Sequence, residues 1–189
     1  MDEQQVIRAV ANWVDTVVVQ LNLCPFAGKE LDKQRVRFVV TEATDEEGVL
    51  QDLAQELEFL NQHPDTETTL LICTRALSDF TAYNQFLDYT DGLLQQLELT
   101  GTYQIASFHP DYQFAGTDPD DVENYSNRSP YPILHLLREA SLEAAIAAYP
   151  AVGEIPGRNI ALLQSLGLAH MQALLEASLG NSRDPARRP

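Results

Sequence analysis

Three side chains could supply proton-transfer or nucleophilic chemistry: His109, His135 and Cys24. His109 directly follows a strand-like stretch, where an imidazole can act as a general acid or base near neutral pH. Cys24 precedes Pro25, between one predicted helix and a second possible one, and a thiolate there with a histidine nearby could attack a substrate. The alternatives are a partly buried histidine bonded to loop backbone and a buried cysteine under a turn.

Basic side chains are scarce, because the chain has a net charge of −16 and holds only two lysines and ten arginines. Arg128 lies just before Ser129-Pro130, and the first turn of a following helix beside its guanidinium would form an anion site. Alternatively, Arg128 bonds loop carbonyls or the aspartates of residues 118–121. Arg158, at the start of the last predicted helix, could reach the same anion or form a structural ion pair. Further candidates for substrate binding are Tyr112, Gln113, Asn127, Ser129 and Arg138.

His135 and Glu139 are four residues apart in a predicted helix, so both would lie on one face of it. That spacing can supply two metal ligands, although a histidine–carboxylate pair or a simple helix pair fits it better. We therefore assign no metal ligand. The sequence also lacks the glycine-rich motifs that bind dinucleotides and phosphates, so it identifies no cofactor.

Apolar periodicity predicts the elements that position these residues. Three short stretches rich in β-branched and aromatic residues indicate strands, and the segments between them carry helical apolar stripes. Strands that alternate with helices are typical of an α/β fold, here a small parallel sheet of about three neighbouring strands covered by helices and followed by a helical C-terminal part. The predicted strands are residues 36–40, 68–73 and 103–108. The predicted C-terminal helices are residues 131–149, either continuous or broken near Ser141, and residues 155–178.

A long loop from His109 to Pro130 directly follows the third predicted strand and shows no apolar periodicity. Loops of this length within a compact domain are usually functional. In open parallel sheets, ligands bind beyond the carboxyl ends of the strands, where this loop begins. The sequence therefore predicts a small-molecule pocket built mainly from residues 104–139, with Arg128, His109 and His135 around one concave site.

Composition predicts the class of protein and its partners. The 44% apolar and 21% charged residues are typical of a globular chain, which we divide into one domain (residues 1–178) and a flexible tail (residues 179–189). We expect a cytoplasmic protein, because no signal-like or membrane-spanning stretch is visible. Its negative charge disfavours nucleic acid and anionic membranes as partners, and the expected partner is a small anionic ligand.

Four strings of residues resemble one known family over most of the chain, from about Val6 to Gly167. The strings are LNLCPFA (residues 21–27), SFHPDYQFAG (107–116), NRSPYPILHLLRE (127–139) and GRNI (157–160). They resemble the bacterial and plant family known as domain of unknown function 1415. The resemblance indicates which residues matter and implies no reaction.

The leading hypothesis is an enzyme that acts on a small anionic metabolite. Arg128, with or without Arg158, would hold a phosphate or carboxylate, and His109 would be the acid or base. One alternative is a noncatalytic ligand-binding or regulatory module that uses the same pocket. The other is a metal-dependent hydrolase that uses His135, Glu139 and the loop aspartates.

Overall fold

The computed structural model of the protein describes residues 2–180. Its strands are β1 (Val36–Thr41), β2 (Thr68–Cys73), β3 (Tyr103–Phe108) and β4 (Ile133–Arg138). Its α-helices are α1 (Glu3–Trp13), α2 (Ala27–Asp32), α3 (Glu46–Gln62), α4 (Phe80–Gln96), α5 (Glu139–Ala148), α6 (Ile155–Leu166) and α7 (Leu168–Gly180). A π-helical segment (Val14–Val19) continues α1, and short 3-10 helices occupy Val122–Ser126 and Val152–Glu154.

The four strands form one sheet in the order β1-β2-β4-β3. β1 and β2 are parallel, with Val36 opposite Thr68, and α3 connects them. β4 is antiparallel to both of its neighbours, β2 and β3. The predicted α/β fold, its parallel pairing and its helical C-terminal part are therefore confirmed.

Three details of the prediction are wrong. The helix predicted over residues 155–178 is divided at Gly167 into α6 and α7. β3 runs in the same direction as β2 but is not its neighbour, because β4 lies between them. The segment predicted as a helix over residues 131–149 is β4 followed by the shorter helix α5. Strand β4 has the sequence ILHLLR and buries Ile133, Leu134 and Leu136, so both of its faces are largely apolar. Such a run carries no alternation, and its periodicity does not distinguish it from a buried helix.

The two faces of the sheet pack against different helices, because successive side chains of a strand point to opposite sides. On the first face, Leu71 and Leu134 pack in the core formed with α3 and α4. Aspartates begin both of these helices: the Asp45 carboxylate accepts a hydrogen bond from the Gly48 amide at 2.9 Å, and Asp79 accepts one from Ala82 at 2.8 Å.

The second face of the sheet packs against α1, its π-helical continuation, α6 and α7. Its core joins Leu70 and Ile133 of the sheet to Trp13, Leu163 and Met171 of the helices. The helix α7 runs to Gly180, so residues 179 and 180 of the predicted tail are helical, and the rest of that tail lies outside the described residues. Among residues 2–180, no helix has the length and apolar character that crossing a membrane requires.

Candidate functional site

A cavity of about 730 Å³ lies on the second face of the sheet. Its floor includes Val36 and Thr68, the first residues of β1 and β2, together with His135 of β4 and Phe108 of β3. The cavity therefore lies near the amino ends of β1 and β2, whereas the predicted pocket lay beyond their carboxyl ends. The loop of residues 109–130 contributes no lining residue.

Several of the α5 residues that line the cavity are small, which leaves space beneath this helix. Ala144, Ala145 and Ala148 of α5 line the cavity, and none of the residues of α5 is buried. An alanine side chain is too short to reach the sheet across from it, so space remains between helix and strands. The opposite wall comes from α1, the π-helical segment and α2, and includes Trp13, which is 1% exposed.

His135 is the imidazole on the floor of the cavity. The Thr68 hydroxyl donates a hydrogen bond to the Leu136 carbonyl, and its oxygen lies 2.8 Å from Nε2 of His135. Because that hydroxyl proton is already used, Nε2 of His135 must be the donor to Thr68. The Nδ1 atom is then a free acceptor, since no residue among 2–180 bonds it. Burial lowers the pKa of His135 to about 4, so the ring is neutral at pH 7.

Charged side chains line the cavity at its opening to solvent, where Lys29 and Lys33 are exposed. Lys29, Lys33 and Arg35 line it beside Glu30 and Glu67. Glu30 lies 3.5 Å from Nζ of Lys33 and 3.3 Å from Nη1 of Arg35, and Glu67 pairs with Nη2 of Arg35. Within residues 2–180, Lys29 is exposed and pairs with no carboxylate. Lys29 is therefore the cation at the opening that remains available to a ligand.

Two of the predicted catalytic residues, Cys24 and His135, line this same cavity. Cys24 is a half-buried free thiol between the π-helical segment and α2. Ser141 of α5 adds a hydroxyl to the lining. The cavity thus combines an apolar interior with a thiol, a neutral imidazole and a hydroxyl.

The third predicted catalytic residue, His109, lies elsewhere and is completely buried. Its Nε2 donates to the Leu77 carbonyl at 3.1 Å, and its Nδ1 accepts from the Asp111 amide at 3.0 Å. Burial lowers the pKa of His109. Both ring nitrogens are therefore used in holding the start of the loop, which matches the structural alternative considered for this residue.

Arg128 holds the long loop together from within. Its Nε donates to the Tyr112 carbonyl at 3.2 Å and its Nη2 to the Pro119 carbonyl at 2.6 Å. The guanidinium carbon lies 4.7 Å from the centre of the Tyr125 ring. The residue that follows Pro130 leads into a strand rather than a helix, so the helix N-terminus expected beside Arg128 is absent. These contacts correspond to the carbonyl-bonding alternative for Arg128.

The other predicted residues of the loop bond or pack within the loop or against the residues next to its ends. The Asn127 amide donates to the Ser107 carbonyl at 3.1 Å, and the buried Ser129 hydroxyl donates to the Tyr131 carbonyl at 2.6 Å. Gln113 donates to the Thr117 carbonyl. The Tyr112 ring packs 4.9 Å from the ring of Phe114. None of these side chains lines the cavity.

Arg138 and Arg158 donate mainly to carbonyl oxygens, and only Arg138 of the two lines the cavity. Arg138 lines the cavity, and its Nη2 donates to the Leu60 carbonyl at 2.6 Å. Arg158 donates to the Asn22 carbonyl at 2.6 Å and to the Tyr149 hydroxyl at 3.2 Å. Arg158 therefore connects the turn before Cys24 to the end of α5, and it is not part of an ion pair with an acidic side chain of the described chain.

The helical face proposed for metal binding does not exist. His135 lies within β4 and Glu139 begins α5, so the two residues are not one turn apart on a helix. Within the described part of the chain, no three histidine, cysteine or carboxylate side chains group closely enough to hold a metal ion. The structural basis of the metal-dependent alternative is therefore wrong.

The family model described as "Protein of unknown function (DUF1415)" matches residues 5–173. The chain belongs to the DUF1415 family. This match confirms the resemblance drawn from the four strings of residues. No curated protein and no solved structure matches the chain.

In this DUF1415 protein the four strings form two contact clusters. The string at residues 107–116 contacts residues 127–130, where the His109 amide donates a hydrogen bond to the Asn127 carbonyl at 3.2 Å. The string at residues 21–27 is held by GRNI, because Asn159 donates to the Leu23 carbonyl at 2.8 Å and Arg158 donates to that of Asn22. Both clusters border the cavity, the first through Phe108 and His135 and the second through Cys24.

Sequence reasoning missed the lysines and the alanines of this DUF1415 site. Lys29 and Lys33 are the only two lysines of the chain, and they stand one helical turn apart directly after the string at residues 21–27. That spacing was a usable signal, since two lysines in so acidic a chain share one helix face. The alanines of α5 could not be identified as site residues from the sequence, because they form a cavity only through their position opposite the sheet.

Proposed function

We propose that this DUF1415 protein binds a small amphiphilic molecule, with its apolar body in the cavity and its anionic group beside Lys29. One observation carries the proposal: the only two lysines of a chain with net charge −16 both line a largely apolar cavity. A volume of about 730 Å³ also fits small-molecule sites, which measure roughly 300–1,000 Å³.

The apolar body of the ligand would supply most of the affinity. Each methylene group that leaves water for an apolar site contributes about 0.8 kcal/mol. Phe108, Leu70 and the α5 alanines form the apolar surface for it. The neutral Nδ1 of His135 offers one acceptor on the floor, which suits a ligand that also carries a hydroxyl group.

The anionic group would bind at the opening, beside Lys29. The opening holds more cationic than anionic side chains, although the whole chain is strongly acidic. Because Lys29 has no ion pair within the described residues, a ligand carboxylate would not have to displace a partner. Arg128 plays no part in this site, since its Nε and Nη2 donate to loop carbonyls.

Trp13 allows a direct test of binding, because it is the only tryptophan of the chain and lines the cavity. We expect laurate, a twelve-carbon carboxylate, to change Trp13 fluorescence saturably and to release or absorb heat in calorimetry with one site. The shorter butyrate, which buries less apolar surface, should bind far more weakly. Laurate that leaves both fluorescence and heat unchanged would exclude the proposed function.

A second function, an enzyme with a cysteine nucleophile, is favoured by one observation: Cys24 and His135 line the same cavity. In that reaction the Cys24 thiol proton would move to Nδ1 of His135, and the thiolate would attack the acyl carbon of an ester or thioester. The alcohol or thiol of the substrate would then leave with that proton. A pKa of about 4 makes His135 a weak base for this step.

Mass spectrometry of the intact protein separates the two functions. After incubation with lauroyl-coenzyme A, the binding function predicts an unchanged mass and no free coenzyme A. An added lauroyl group that disappears in Cys24→Ser would instead identify the enzyme. The Cys73→Ser protein serves as the matched control, because Cys73 is fully buried and does not line the cavity.

A further inference from the structure

A second cleft, of about 570 Å³, adjoins the cavity. Its lining consists of polar and charged residues with one proline: Lys33, Gln34, Arg35, Pro64 and Asp65. Lys33 and Arg35 line both the cleft and the apolar cavity. A molecule that leaves the cavity between these two side chains would therefore enter the cleft directly.

The two shared cations differ in how firmly they are held. Arg35 pairs with both Glu30 and Glu67, and its backbone carbonyl also accepts from the Glu67 amide at 2.9 Å. Within residues 2–180, the only ion pair of Lys33 is the 3.5 Å pair with Glu30, and the Lys33 side chain is 44% exposed. Exposed pairs of this kind contribute little to stability. Lys33 can therefore turn toward a ligand in the cleft with the loss of a single exposed ion pair.

We propose that the cleft binds an extended, phosphate-bearing head of the amphiphile whose apolar body fills the cavity. This assignment rests on the proposed function, because the apolar body must first occupy the cavity. A simple carboxylate would end at the opening, beside Lys29, and leave the cleft without a ligand. A phosphate offers Lys33 and Arg35 several acceptor oxygens and enough charge to compete with Glu30. Asp65, the one carboxylate in the cleft lining, suits a hydroxyl of the same head.

The ligand class is therefore an apolar chain on a polar carrier with phosphate, from either a soluble acyl carrier or a lipid. We would measure the dissociation constants of laurate, S-dodecyl-coenzyme A and lauroyl lysophosphatidic acid by calorimetry, each below its micelle concentration. The thioether probe cannot transfer its chain, so only binding is measured. We expect at least one phosphate-bearing probe to bind about tenfold or more tightly than laurate. The tighter of the two identifies the soluble or the lipid source.

The Lys33→Ala protein tests whether the cleft causes the difference. In the unaltered protein the dissociation constant of laurate should exceed that of the tighter phosphate-bearing probe. In Lys33→Ala we expect the ratio of these two dissociation constants to fall most of the way to one. A ratio is informative even if the variant is partly unfolded, because unfolding weakens both ligands alike. Arg75→Ala removes the same charge from an exposed pair with Glu42, outside both linings, and should keep the ratio.

Two results would overturn this inference while leaving the proposed function intact. In the first, laurate binds at least as tightly as both phosphate-bearing probes. In the second, a phosphate-bearing probe binds more tightly but its advantage is the same in Lys33→Ala. Absence of laurate binding would instead reject the proposed function, and this inference with it.

Discussion

Nε2 of His135 lies 2.8 Å from Oγ1 of Thr68, across the pairing of the strands β4 and β2. The hydroxyl of Thr68 also donates to the Leu136 carbonyl, so one threonine joins a side chain and a backbone group of the neighbouring strand. The contact fixes a neutral imidazole on the floor of the cavity. It also makes the stability of the fold sensitive to acid.

The first prediction concerns the pH dependence of unfolding. The pKa of His135 is about 4 in the folded protein and 6.5 for an unperturbed histidine. Between these values the unfolded chain binds a proton that the folded chain does not, so the free energy of unfolding falls as the pH falls from about 6.5 to 4. Above that window His135 adds no pH dependence. Urea unfolding at a series of pH values measures the slope.

His135→Asn should flatten part of that slope, because asparagine does not titrate and can still donate to Thr68. Burial also lowers the pKa of His109, so His109 should account for a further part of the slope, and His109→Asn should remove that part. His170→Gln is the control, since His170 is exposed on α7. A slope that His135→Asn leaves unchanged would contradict the neutral, buried state of His135.

The second prediction separates the two roles considered for Arg128. Arg128→Ala removes hydrogen bonds to the Tyr112 and Pro119 carbonyls, and we expect the free energy of unfolding to fall by about 1–3 kcal/mol. Laurate affinity should stay the same, because Arg128 does not line the cavity. Arg128→Lys should restore little stability, since a single ammonium cannot reach both carbonyls. Retained stability with lost binding would instead support the anion-site hypothesis.

The strands β2 and β4 differ in how clearly their sequences identify them as strands. The predicted bounds of β2 and β3 agree with the structure, because β-branched and aromatic residues mark those strands and helical stripes flank them. β4 buries leucine and isoleucine on both faces, so its pattern fits a helix equally well. The order β1-β2-β4-β3 then depends on a strand that periodicity could not identify.

The candidate site was less predictable than the fold, for a different physical reason. Arg128 and His109 were predicted as site residues because their side chains can perform several kinds of chemistry. In the structure their polar atoms instead form hydrogen bonds with backbone groups in and beside the long loop. The cavity arises where α5 alanines face the sheet, and this depends on tertiary distance rather than on residue type. Cys24 and His135 were both predicted as site residues. They line the same cavity although they lie far apart in the sequence.

The third prediction tests whether the space beneath α5 is the binding site. Ala145→Phe would place a ring in the cavity and should weaken laurate binding by tenfold or more, by about 1.4 kcal/mol at least. Stability should change little, because burial of the ring offsets the lower helix propensity of phenylalanine. Trp13 fluorescence titration and thermal unfolding measure both effects.

Ala147→Phe is the matched control for Ala145→Phe. Ala147 lies two residues along the same helix, is exposed and does not line the cavity, so the same helix-propensity cost applies without filling any space. We expect its laurate affinity to equal that of the unaltered protein. Equal weakening by both substitutions would mean that disturbance of α5, rather than filling of the cavity, abolishes binding.

The fourth prediction tests the charge of Lys29 apart from its bulk. Lys29→Ala should weaken laurate by about three- to tenfold, because one partly hydrated ion pair contributes about 0.5–1.5 kcal/mol. The neutral alcohol dodecanol has the same chain length and no charge, so its affinity should hardly change. Lys29→Arg should retain laurate binding, and added salt should weaken laurate in the unaltered protein more than in Lys29→Ala. Calorimetry at two salt concentrations measures all of these affinities.

Arg8→Ala is the control for Lys29→Ala, because it removes an exposed cation of α1 outside the cavity lining, and it should leave the affinity for both ligands unchanged. If dodecanol weakened as much as laurate in Lys29→Ala, Lys29 would act through packing, and the anionic group would have to bind elsewhere.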